Sequence, residues 1–168
     1  MSHRLSADSS PRTSRPRSAG IVLHRWTEDQ LEILLVHPGG PVWARRDAGA
    51  WSIPKGEYEP DEEPLAAARR EFAEELGSPA PQGPPIDLGE VRQKSGKRVH
   101  AWGLAGDLDV RRVQSNLFTM QWPPRSGRMQ VFPEVDRAQW LKLEAAREKI
   151  NPAQATFLDR LVEALGAR

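Results

Sequence analysis

The segment from Gly56 to Gly77 holds eight carboxylates: Glu57, Glu59, Asp61, Glu62, Glu63, Glu71, Glu74 and Glu75. Any fold must place them without burying uncompensated charge. Pro64–Leu76 reads as a helix, with proline in its first turn and Gly77 just past its end. At roughly 100° per residue, with Glu71 set to 0°, Glu74 falls near −60° and Glu75 near +40°. Leu65, Ala68, Phe72 and Leu76 fall between about +60° and +140°, the stripe expected to enter the core. Ala67, near −40°, leaves the carboxylate stripe uncovered by anything bulky. Like charges at these spacings destabilise a helix by ~0.2–0.5 kcal/mol per pair. Arg70, four residues before Glu74, relieves part of this, whereas Arg69 lies on the far side. A divalent cation would relieve much more, and oxygen-only ligands suit hard Mg²⁺ or Mn²⁺. Helix geometry alone does not choose between such a site and a solvated acidic face.

The rest of the chain supplies a sheet and more helix. Ala19–Trp26 and Leu31–His37 are apolar, β-branched runs around Thr27-Glu28-Asp29-Gln30, which predicts a hairpin with a four-residue turn. Trp43 to Ile53 reads as loop plus short strand, and Ser78–Pro85, with four prolines in eight residues, as a connector. Ile86–Lys94 and Lys97–Gly106 form a second hairpin around Ser95-Gly96. Leu117–Trp122 and Asp136–Leu143 are strand candidates separated by a loop over Pro123–Pro133, and Glu144–Ile150 and Pro152–Leu165 close the chain as helices. The interleaving implies a layered α/β domain with a central mixed sheet over residues 19–168.

Residues 1–18 differ in kind, carrying Arg4, Arg12, Arg15 and Arg17 against Asp8 in a Ser- and Pro-rich context. They are expected to form a disordered basic tail without the apolar core of a secretory signal. The whole chain has 24 Lys+Arg and 23 Asp+Glu, so the body beyond the tail is mildly acidic. That argues against a nucleic-acid polymer as partner. No apolar run approaches the ~20 residues of a membrane helix. The absence of cysteine excludes disulfides, thiolate metal sites and thiol nucleophiles, and is compatible with a cytoplasmic location.

Gly56, Glu62, Arg70, Glu71, Phe72, Glu74, Glu75 and Gly77 match the Nudix box, G-x5-E-x7-R-E-U-x-E-E-x-G-U, in which U is a bulky apolar residue. Here it runs GEYEPDEEPLAAARREFAEELGS, and only the last position, Ser78, departs. The order hairpin, WSIPKG, box, hairpin and terminal helix also resembles the Nudix fold from Ala19 to Leu165. The resemblance implies an α/β/α sandwich hydrolase cleaving a nucleoside diphosphate linked to another moiety. It implies that Glu71, Glu74 and Glu75 coordinate metal, with Gly56 or Lys55 offering a backbone carbonyl, that Arg70 orients these glutamates, and that Glu62 braces the loop. Three candidates stand for the base that takes the proton from water: Glu74, Glu75 and Glu134, the last in FPEVDRAQW, with Asp136 as fallback.

Lys55, in the PKG turn before the box, is well placed for a phosphate, and Arg45 and Lys97 supply further charge on expected loops. Trp43 and Trp102 are the preferred tryptophans for stacking a base. WSIPKG and the closing NPAQATFLDRL look like the dinucleoside polyphosphate branch of the family. That branch holds adenine with a tyrosine downstream of the box. Here the only tyrosine is Tyr58, within the box, so His100 or Trp102 would substitute. The expected substrate is a dinucleoside polyphosphate or a nucleoside triphosphate. ADP-ribose or another nucleotide sugar is the alternative, and a non-catalytic nucleotide-binding module is the reading from another class.

Overall fold

The structure is a computed structural model that describes residues 16–166. In chain order the elements are β1 (Arg17–Thr27), β2 (Gln30–Pro38), β3 (Lys55–Tyr58), α1 (Pro64–Leu76), β4 (Ile86–Arg92) and β5 (Arg98–Ala105), then β6 (Leu117–Gln121), β7 (Met129–Pro133), β8 (Val135–Lys142), α2 (Leu143–Lys149) and α3 (Ala155–Ala164). Short 3-10 turns span Val110–Arg112 and Pro152–Gln154.

β1 organises the sheet because its two edges serve three partners. One edge pairs in parallel with β5 along Arg17–His24. The other is divided: β3 runs antiparallel against Arg17–Gly20, and β2 antiparallel against His24–Thr27. The sheet order is β4-β5-β1-β2-β8, with β3 joined to β1, while β6 and β7 form a separate two-stranded ribbon. This is the mixed sheet the sequence implies.

Alternation along the strands then sorts side chains onto two faces. Ala19, Ile21 and Leu23 of β1 and Leu34 and Val36 of β2 pack with Phe72 and Leu76 of α1. Val22, Ile33 and Leu35 point the other way, into a cluster with Ala146 of α2 and Phe157, Leu158 and Leu161 of α3. The result is the expected α/β/α sandwich, with the box helix alone on its face. Gln154, 1% exposed, ties the layers together. Its Oε1 accepts from the Ile53 N–H at 3.0 Å and its Nε2 donates to Gln93 Oε1 at 3.0 Å, pinning the segment that enters Lys55 and Gly56.

Several expectations need correction. Arg17 and Ser18 belong to β1, and Ser18 is buried, so the tail boundary moves to their N-terminal side; residues 1–15 lie outside the described residues. The first hairpin turns through Glu28 and Asp29 alone, both with positive φ (50° and 63°), a two-residue turn whose twist matches the strands. β3 was not expected, because four residues reading KGEY carry no β pattern and pair only through backbone. β7 lies inside the stretch read as a loop, and the final helix begins at Ala155 after a 3-10 turn instead of at Pro152.

Phe72 is fully buried at the centre of the α1 face. Phe72→Ala should therefore lower unfolding free energy by ~3–5 kcal/mol in a denaturant titration, and a loss below about 1 kcal/mol would contradict this packing.

Candidate active site

α1 starts where Glu63 accepts hydrogen bonds from the N–H groups of Leu65 (3.2 Å) and Ala66 (2.9 Å), and it ends at Gly77, whose φ of 75° only glycine adopts freely. Its buried stripe is wider than the helical wheel suggested. Ala67 is fully buried and Leu65 only partly so. Glu71 and Glu75 stand between Ala67 and Ala68 on that wheel, so they meet the sheet edge instead of open water. Glu74, further round, is freer: its side chain is 39% exposed, against 12% for Glu71.

Arg70 and Gly56 hold this arrangement. The Arg70 guanidinium donates to both Glu62 oxygens, at 2.8 and 2.9 Å, and turns Nη1 to Glu71 Oε1 at 2.8 Å and Glu74 Oε2 at 3.3 Å. Arg69, on the far side as expected, donates to the Pro81 carbonyl. The Glu71 carboxylate fills the space in which Gly56 has no side chain; a Cβ there would lie 1.9 Å from Glu71 Oε2. Glu75 Oε2 accepts from the Lys55 N–H at 3.2 Å.

Glu134 arrives through a run of backbone bonds. Asn116 N–H donates to the Glu74 carbonyl (3.0 Å), Glu134 N–H to the Asn116 carbonyl (2.8 Å) and Gly39 N–H to the Glu134 carbonyl (2.9 Å). The residue just before β8 is thereby fixed beside the acidic helix. Asp136 is otherwise committed: it accepts from Nδ1 of fully buried His37 at 2.8 Å, while His37 Nε2 lies 2.7 Å from the Arg46 carbonyl. Both His37 partners are oxygens, so the ring is held in place from two sides.

The electrostatics follow from crowding. Burial raises the pKa of Glu71, against the pull of Arg70, and the charges of Glu74 and Glu134 raise it further. Burial pushes Glu75 up to about 8 despite the opposing charge of Lys55. Glu134 is raised by burial and then by Glu74. Lys55 is lowered by burial and by nearby Lys97, whose Nζ lies 3.0 Å from Glu57 Oε1. Among the described residues, no three His, Cys, Asp or Glu side chains form a ready-made cation cage. Glu71 and Glu74 are instead turned onto Arg70. The donor set still fits a hard cation: three half-buried carboxylates on one stripe of α1, with Glu71 seated over the bare backbone of Gly56.

Of the other residues singled out in the sequence, Lys55 sits beside Glu75, and Lys97 pairs with Glu57. Trp43 and Arg45 are exposed on the β2–β3 loop, with Arg46 over the Trp43 ring at 5.3 Å. Trp102 is 7% exposed and already stacked by His100, ring centroids 4.0 Å apart, so its ring is not the free platform expected of it. Sequence reasoning missed Phe118 and Met120 on β6, which line a hollow beside Glu134. Only the β6–β7 pairing brings them there.

The NUDIX domain family profile matches residues 14–161. The chain belongs to the Nudix family. It is a Nudix hydrolase, of the class that acts on pyrophosphate bonds, and the family generally uses divalent metal ions. Solved structures share the fold. C. elegans Ap4A hydrolase in a binary complex aligns with a TM-score of 0.63 at 23% identity, covering 91% of this chain and 99% of that one. The NUDIX domain of Shewanella oneidensis NrtR, complexed with ADP ribose, gives 0.59 at 16%, covering 89% and 87%. A MutT protein from Methanosarcina mazei gives 0.58 at 21%, covering 89% and 94%. Comparison with curated proteins finds no match. No helix among the described residues is long and apolar enough to cross a membrane.

A raised carboxylate gives a signed prediction. Folded Glu75 keeps a proton that the unfolded chain releases near the ordinary carboxylate value. Its contribution to metal-free stability is therefore lost as pH climbs from about 5 to about 9. Thermal melts without divalent cation should show the Tm falling over that window, and Glu75→Gln should flatten the fall. A wild-type profile as flat as that of the variant would contradict the placement of Glu75.

Proposed function

We propose that this Nudix hydrolase cleaves a dinucleoside polyphosphate or a nucleoside triphosphate, using Mg²⁺ or Mn²⁺ held by Glu71, Glu74, Glu75 and the backbone at Gly56. The observation that carries the reading is the carboxylate stripe of α1, set against Gly56 and oriented by Arg70. A cation held there would neutralise the pyrophosphate and lower the pKa of the attacking water. The chain does the rest. Arg70, itself fixed by Glu62, holds Glu71 and Glu74 in register, a positioning role. Lys55 and Lys97 face the anionic chain of the substrate.

Glu134 is the favoured base. Glu74 is held by Arg70 and Glu75 by the Lys55 N–H, whereas among the described residues the Glu134 carboxylate has no hydrogen-bond partner. Its raised pKa brings it nearer neutrality, where a base accepts a proton most effectively. Two hollows flank the acidic helix, one beside Tyr58, Glu62 and Arg70 and one beside Glu134, and a substrate with a moiety at each end of its phosphate chain suits that layout. The cysteine-free composition suits a cytoplasmic setting, with the small nucleotide as partner.

The test is a panel of diadenosine tetraphosphate, nucleoside triphosphates and ADP-ribose, assayed with Mg²⁺ or Mn²⁺. Turnover is expected on the first two, and ADP-ribose as sole substrate would move the assignment to the nucleotide-sugar alternative. Glu74→Gln should lower kcat by about 10²–10⁴ while the melting temperature holds. Unchanged turnover in that variant would overturn the metal-site assignment, and a wild type inert on the whole panel would leave nucleotide binding without hydrolysis.

A further inference from the structure

The hollow beside Glu134 differs in chemistry from the rest of the site. It encloses about 350 Å³ between the β2–β3 loop and the β6–β7 ribbon. Its walls are Val42 and Trp43 from the loop and Phe118 and Met120 from the ribbon, with Glu134 the one charged group at its rim. Loop and ribbon close on each other because Gly40 carries no side chain: a Cβ there would meet Phe118 Cζ at 2.8 Å. Phe118 is steadied from behind by Phe132, centroids 5.9 Å apart. Val42 and Trp43 are 47% and 37% exposed, an apolar surface left uncovered next to a polar site.

We propose that this hollow seats the nucleobase of the substrate, with its phosphate chain leading past Glu134 to the glutamates of α1. The assignment rests on the pyrophosphohydrolase reading for the phosphates, but the base-binding claim stands on the hollow alone. Its volume falls within the range of small-molecule sites and suits one planar ring system. A phosphate would meet Glu134 there with no cation among the lining residues, so the anionic part of a nucleotide has to point outward. Backbone bonds through Asn116 tie Glu134 to Glu74 of α1, and Lys55, whose N–H donates to Glu75, stands on that helix's acidic side. Aromatic walls accept any base, since every base has a π-face; the hollow therefore selects for a base without dictating which.

Adenosine has a base and no phosphate, so it probes the hollow without calling on the metal site. Titrated into the full chain and followed by saturation-transfer NMR, it should give a clear signal on the wild type. The signal should fall about fivefold or more in Met120→Trp, which fills the hollow, and in Phe118→Ala, which removes a wall, with melting temperatures reporting that each variant is folded. For the nucleotide turned over fastest, KM should rise about tenfold in both variants with little change in kcat. The proposal is overturned by equal adenosine signals on wild type and folded Met120→Trp. It is equally overturned if adenosine, guanosine, cytidine and uridine all fail to bind the wild type. Adenosine binding in a chain that hydrolyses nothing would sink the pyrophosphohydrolase reading and leave the base site standing.

Discussion

Three carboxylates on one helix at the border between core and water set the terms for everything around them. Glu71 and Glu75 stand between two buried alanines of α1, where neither full hydration nor full pairing is available. The protein does not resolve this by distance. Arg70 is brought in between Glu62, Glu71 and Glu74, and Gly56 is stripped of a side chain so that Glu71 has somewhere to go. On the proposed reading, a divalent cation placed among these carboxylates would relieve the cost of crowding them at such a border.

The sheet exists in a form that serves this helix. β1 gives half of one edge to β3, and that short pairing places Lys55 and Gly56 across from Gly20 and Ala19, under the carboxylates. Gln154 holds the same segment from the opposite layer through the Ile53 N–H. At the same end of α1, backbone bonds through Asn116 fasten Glu134 to the helix and the helix to the β2–β3 loop. The groups of the candidate site thus come from separate stretches of chain, fastened by main-chain bonds, by the Gln154 side chain and by the packing of α1. His37 adds a further anchor, bridging Asp136 and the Arg46 carbonyl from a fully buried position.

The parts of this that the sequence disclosed are those written within a few residues of one another. Helix periodicity separated Phe72 and Leu76 from Glu71, Glu74 and Glu75, and composition marked both hairpins. The wheel erred on Ala67, because a small residue can be buried at the edge of a stripe without altering the pattern. β3 escaped because its pairing is dictated by a partner far along the chain, Tyr58 against Arg17, and β7 because the Pro- and Gly-containing stretch that leads into it reads as loop. Trp102 was misjudged for a different reason. A tryptophan in a strand can stack a ligand or a neighbour, and here His100, two residues earlier on the same strand, takes its face. The apolar hollow is legible nowhere in the sequence, since its walls come from residues 40–43 and 118–134.

The bare backbone at Gly56 gives Glu71 the position from which, on the proposed reading, it would share a cation with Glu74 and Glu75. Calorimetric titration of Mg²⁺ or Mn²⁺ into the wild type and into Gly56→Ala tests it most directly. Metal should bind the wild type with proton release from the raised glutamates, and affinity should fall about tenfold or more in the variant while its melting temperature shows it folded. Equal affinity in the two proteins, or metal binding by neither, would contradict the account.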